Sequence, residues 1–238
     1  NAPVSEVIWD SLPWTLLLVG TSLILSTALG ILLGIESGWR RGGRTDKALL
    51  SGLMSLSGFP DFFLGILLLL VFGVSWGILP LFGAKTAYSE LSGVPLIWDI
   101  LKHLILPMTA LTIAHLTGGY LLTRNTMITV LKEPYMLTAR AKGLSQRTLK
   151  YRHAGRNSML PMVTRTGIWL GRLVTGVLFI EIVFAYPGIG YMTYEALGAR
   201  DYPIIQGALL VTAISVLAAN FLIDISYRKL DPRVNHAP

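Results

Sequence analysis

Five apolar stretches, each close to the length that crosses a bilayer, constrain this 238-residue chain more than any other feature. They cover about residues 12–35, 49–73, 104–122, 162–183 and 204–223. A spanning helix needs roughly 20 apolar residues. In hydrocarbon its backbone N–H and C=O groups must pair within the segment itself. The expected fold class is therefore all-α: a polytopic membrane helix bundle of about five transmembrane helices. Composition agrees, since charged residues make up 14% of the chain, against about 25% in a soluble domain.

Charge placement sets the expected orientation. Segments 36–48, 123–161 and 226–238 carry most of the lysines and arginines, among them Arg40, Arg44, Arg124, Arg140, Lys150 and Arg156. The opposite segments hold only Lys85, Lys102 and Arg200. The positive-inside rule puts the first set in the cytoplasm, with the N-terminus outside and the C-terminus inside. Trp9, Trp14, Trp39, Trp76 and Trp98 fall near span ends, where aromatic belts sit. The net charge of +7 is thus a topology signal, and no nucleic-acid partner is expected. The absence of cysteine excludes disulfides, thiolate nucleophiles and cysteine-based metal sites.

The basic segment 123–161 has a definite build. Tyr135-Met-Leu-Thr-Ala-Arg-Ala-Lys-Gly143 contains the small helix formers Ala139 and Ala141, then a glycine able to end that helix in a left-handed turn. Ser145 is a good N-cap for a second short helix. Pro161, after Leu160, suits the first turn of the next membrane helix. The expectation is a compact helix–turn–helix on the membrane surface. It could be gripped by a partner or lie on anionic lipid.

The external segments are expected at about 74–103, rich in Pro and Gly, and 184–203. The second contains Tyr186-Pro-Gly-Ile-Gly190, in which Pro187-Gly188 signals a turn. That loop is either a plain connector or a gate and docking surface. Asp61, His115 and Arg172 fall near the middle of three different spans. A charge at that depth costs roughly 2.5–3.5 kcal/mol on insertion scales, so none is expected to face lipid. Asp61 and Arg172 could form a structural pair, line a hydrated path, or face a partner. Pro60 is expected to kink its helix. Glu181 and Asp224, near span ends, are expected to reach water. Gly167 and Gly171 have small-xxx-small spacing.

The segment 135–161 resembles the cytoplasmic loop motif of ABC importer permeases, named for Glu-Ala-Ala and a spaced Gly. Ala139, Gly143 and Leu160-Pro161 match it, while Leu137 and Thr138 replace the glutamate and first alanine. Thr138-Ala-Arg-Ala-Lys-Gly-Leu144 is similar to the B-type subunit of the dipeptide/oligopeptide/nickel branch. Glu181-Ile-Val-Phe-Ala-Tyr-Pro-Gly-Ile-Gly190, Arg200-Asp-Tyr-Pro-Ile-Ile-Gln-Gly207 and Leu230-Asp-Pro-Arg233 resemble it in order and spacing. The usual first span of the family is not matched.

The resemblance implies a single permease domain over residues 1–238 in a prokaryotic inner membrane. It implies four kinds of partner: a second related permease, two cytoplasmic ATPases, an extracytoplasmic binding protein and the lipid bilayer. Thr138, Ala139, Arg140, Ala141, Lys142, Gly143, Leu144, Leu160 and Pro161 would form the ATPase-coupling loop. The chain has no Walker-type phosphate loop, no His-Glu-x-x-His and no Ser/His/Asp arrangement. No catalytic residue, metal or cofactor is therefore expected on this chain, with ATP and Mg bound by the partner ATPases. The implied cargo is short peptides, with nickel or another small solute as the alternative. An ATP-independent secondary transporter would need paired inverted repeats, which the sequence does not display.

Overall fold

The first apolar stretch lies inside a 36-residue helix, α1 (Val4–Trp39). At 1.5 Å per residue such a helix is roughly 54 Å long, longer than the hydrocarbon core of a bilayer. The computed structural model describes residues 3–159, 161, 162, 165 and 177–230, with backbone alone at 219, 220 and 222–230. Every regular element among them is helical. The chain divides into two compact units, one of residues 1–22, 60–111 and 167–238, the other of 23–59 and 112–166.

The second apolar stretch is not one helix. α2 (Arg44–Leu56) and α3 (Asp61–Leu68) are separated by a break, and the two directions differ by 98°. Pro60 explains it, with φ −59° and ψ 150° just before α3. Its ring excludes the helical conformation at Phe59 and removes one N–H from the ladder. The kink expected from the sequence is thus a sharp corner. α3 continues into a wide π-helical turn, Leu69–Ser75, closed by the N–H of Trp76 on the carbonyl of Val71 at 3.0 Å.

α4 (Val94–Val130) contains the third stretch but runs well beyond it at both ends. Its early start was hidden in the sequence because Pro95 reads as a loop residue. In the first turn of a helix the missing N–H costs nothing. α5 (Pro134–Ala141) follows, and a second π-helical segment covers Thr148–Gly155. The fourth stretch lies mostly outside the described residues, as do Gly167, Gly171, Arg172 and Leu160. α6 (Leu178–Val183), α7 (Ile189–Ala199) and α8 (Tyr202–Leu230) are the remaining helices among the described residues, the last covering the fifth stretch.

In the first unit α6 packs on α3 and α7, and α7 on α8. Gly65 of α3 lets the side chains of Ile180 and Phe184 approach closely. A core of Ile8, Ile189, Met192 and Ala208 joins the start of α1 to α7 and α8.

In the second unit α1 and α4 meet along glycine. Gly30, Gly34 and Gly38 recur every four residues, so they line one stripe of α1. A Cβ at Gly34 would lie 2.6 Å from Cβ of Thr123 and 2.9 Å from the carbonyl oxygen of Tyr120. One at Gly38 would lie 2.7 Å from Cβ of Met127. The backbones therefore approach closely, as small-xxx-small seams allow between membrane helices.

Candidate functional site

The basic end of the second unit is built on two layers. The lower is a network joining α1, α2 and α4. Asp46, 2% exposed, receives Nε and Nη2 of Arg124 at 2.6 and 2.8 Å, a two-point grip. The N–H of Gly42 donates to its second oxygen at 2.8 Å, and the hydroxyl of Ser37 donates to its first. Ser37 also shares a 2.6 Å hydrogen bond with the hydroxyl of Tyr120. A buried ion pair tolerates such a place only when its remaining lone pairs are satisfied, and here they are. No sequence motif marks these residues.

The upper layer is α5 and the segment after it. Glu133 is extended and Pro134 fills the first helical position, so the helix starts sharply. Met136 and Ala139, three residues apart, turn inward onto Ile35, Met127, Leu149 and Ala154. The outward residues are therefore Leu137, Thr138, Arg140 and Ala141. Leu137 is 65% exposed and stands beside Thr138 and Arg140. Lys142 closes the helix, and Gly143 follows with φ +71° and its N–H on the carbonyl of Arg140 at 2.9 Å. Nothing lies within 4 Å of a Cβ built there, so the backbone, not crowding, requires glycine. Leu144 packs back on the cluster. Ser145 accepts the N–H of Thr148 at 3.3 Å, an N-cap bond.

Asn157 donates to the hydroxyl of Tyr135 at 2.6 Å and ties α5 to the following segment. That segment is already helical over 146–159, and Pro161 is helical too. Pro161 thus follows a helical stretch, where the sequence reading placed it in the first turn of a new helix. Lys150 and Tyr151 both reach the carboxylate of Glu36 on α1.

The first unit holds a different arrangement. Glu181 is fully buried, which corrects the expectation that it reaches water. The chain after α6 folds back over it and brings the start of α7 to its carboxyl. Gly190 and Tyr191 donate their N–H groups to Oε2 at 2.7 and 3.1 Å. Thr15 of α1 donates to Oε1 at 2.7 Å and accepts the N–H of Ile189 at 2.8 Å. A carboxyl at a helix N-terminus pairs with donors that the helix cannot satisfy itself.

Pro187 and Gly188 form the expected tight turn, with the N–H of Gly188 on the carbonyl of Tyr186 at 2.6 Å. Gly188 is also the N-cap of α7. Tyr186 is fully buried. Burial, and then Glu181, push its hydroxyl above the ordinary phenolic range.

Asp61 stands at the first position of α3, half-buried, with the N–H of Phe62 on its Oδ1 at 2.7 Å. It thus begins a helix at the Pro60 corner, where the sequence reading had it mid-span. His115 is half-buried in α4. Arg172, the other half of the possible Asp61–Arg172 pair, lies outside the described residues.

Residues 26–236 match the family described as the inner membrane component of binding-protein-dependent transport systems. The chain belongs to this family. It is 34% identical over 236 residues to the oligopeptide transport system permease protein AppB of Bacillus subtilis, with 99% of this chain and 73% of that protein aligned. It is 34% identical over 251 residues to the dipeptide transport system permease protein DppB of Escherichia coli, covering 98% and 74%. A putative peptide permease of Brucella ovis is 37% identical over 235 residues, covering 98% and 72%. The fold is shared with the methionine ABC transporter MetNI in its inward-facing conformations, at TM-score 0.72 and 16% identity over 97% and 99% of the two chains. An amino acid ABC transporter shares it at TM-score 0.62 and 13% identity, over 94% of each chain. The family member described here is thus an all-helical permease of the ABC importer fold.

Proposed function

We propose that this chain forms half of the translocation pathway of an ATP-driven importer for short peptides. The observation that carries the reading is α5: a short exposed helix, anchored by Met136 and Ala139 and ended by the left-handed Gly143. Leu137, Thr138, Arg140 and Ala141 present a small mixed surface that fits a cleft in a partner. That partner is a cytoplasmic ATPase, and Thr138–Leu144 with Leu160 and Pro161 carry its motion to the membrane helices. Two such ATPases bind ATP and Mg, so this chain performs no chemistry of its own. A second related permease supplies the other half of the path, and an extracytoplasmic binding protein delivers cargo. The basic end is cytoplasmic, with the N-terminus outside and the C-terminus inside, all within one permease domain. The turn at Pro187 and Gly188 then faces the outside. Asp61, His115 and Arg172 contact the path or the second permease.

Peptide as cargo is supported by the names of the aligned relatives, dipeptide and oligopeptide permeases. The test is uptake by the reconstituted complex with its own binding protein. Saturable, ATP-dependent uptake of di- or oligopeptides is expected. Nickel uptake without peptide competition would replace the cargo and leave the coupling role standing.

A further inference from the structure

We propose that a groove at the basic end of α1 binds the phosphate headgroup of an anionic phospholipid. The groove measures about 480 Å³ and is lined by Trp39, Arg40, Gln146, Arg147, Lys150 and Tyr151. Three cations meet there, and among the described residues one carboxylate answers them. Glu36 takes the Lys150 ammonium and the Tyr151 hydroxyl on one oxygen. Its other oxygen lies 4.0 Å from Nε of Arg40, whose side chain is 61% exposed. A pair that long and that exposed contributes little. Arg147 is exposed and has no acidic partner among the described residues. The site therefore has room and charge for a second anion. Two guanidinium groups favour phosphate, which they can grip with paired N–H donors.

The walls select lipid over a free anion. Trp39 is the last residue of α1, four positions beyond the apolar run 12–35, and its side chain is half-buried. Indoles at span ends sit at headgroup depth. The rings of Trp39 and Tyr151 give the groove an apolar side, which the first methylenes of the acyl chains use and inorganic phosphate does not. The Lys150 ammonium lies 4.8 Å from the Tyr151 ring centroid, so the cationic and aromatic parts are joined. Basic pockets beside spanning helices on the cytoplasmic side suit anionic headgroups. A carboxylate of the partner ATPase is the competing occupant. It is disfavoured because Leu137, Thr138, Arg140 and Ala141, the exposed face of α5, do not line the groove. The inference rests on the membrane placement and leaflet assigned above, not on the peptide cargo.

The test uses the assembled transporter in neutral detergent, exposed to phosphatidylglycerol, phosphatidylcholine or inorganic phosphate. Native mass spectrometry counts what is retained. Phosphatidylglycerol should be held through detergent washing and phosphatidylcholine should not. Arg40→Gln with Arg147→Gln should weaken retention about fivefold per charge removed. Both side chains are exposed, so the variant should fold and keep its ATPase subunits. Brominated phosphatidylglycerol should also quench less tryptophan fluorescence in Trp39→Phe than in the parent chain. Unchanged phosphatidylglycerol retention in the double variant would overturn the proposal, as would equal retention of the neutral lipid. Full displacement by millimolar inorganic phosphate would make this a free-anion site and reject the lipid. Loss of ATPase subunits with lipid retention intact would assign the groove to a protein contact instead. Peptide uptake reads the cargo separately, so the two conclusions fail independently.

Discussion

The carboxyl of Glu181 fills the space into which a Cβ at Gly188 would project. The turn residue and the buried acid are seven positions apart, yet each fits only because of the other. Gly188→Ala should force the carboxyl off its donors at an overpacking cost of roughly 1–3 kcal/mol. Gly198→Ala, in α7 with nothing within 4 Å of its Cβ, is the matched control. Thermal melting of the purified protein should separate the two, and equal melting temperatures would reject the fit.

Thr15 serves Glu181 and α7 at once, through one hydroxyl. Thr15→Val keeps the shape and removes both bonds. It leaves the buried N–H of Ile189 unpaired, at about 1–3 kcal/mol. Thr15→Ser should restore most of the loss in the same melting measurement.

Gly34→Val should separate α1 from α4, because the added atoms meet both backbone and the Thr123 side chain. The expected result is a sharp fall in membrane abundance on immunoblots. Gly20→Ala lies on the same helix with no atom within 4 Å, and should be neutral or gain up to about 1 kcal/mol of helix propensity.

Asp46 and Arg124 form a part-buried pair whose breakage leaves one charge without its partner. Asp46→Asn alone should cost roughly 1–3 kcal/mol. The double change Asp46→Asn with Arg124→Gln should recover part of it. Losses that simply add in this cycle, read from chemical or thermal unfolding, would show that the two groups do not couple.

Gly143→Val places a β-branched residue at φ +71°, where it is strained. The variant should insert normally yet lose peptide uptake and co-purify poorly with ATPase subunits. Retention of both would show that α5 is not the coupling element.

The apolar stretches alone established an all-helical membrane chain, since hydrocarbon leaves the backbone no alternative over such lengths. The left-handed position at Gly143, the cap at Ser145 and the turn at Pro187 and Gly188 were legible because each depends on a residue's own backbone limits or short polar side chain. Pro60 likewise announced a break, although only the fold set its 98° angle. What the sequence did not disclose depends on distance along the chain. Asp46 meets Arg124 across 78 positions, and Glu181 meets Thr15 across 166. Nothing local distinguishes these charged residues from ones that reach water. Only packing can, because a buried charge is stable solely where other helices bring it donors. Gly30, Gly34 and Gly38 were not singled out in the sequence, because the stripe on α4 that they face exists only once the two helices meet.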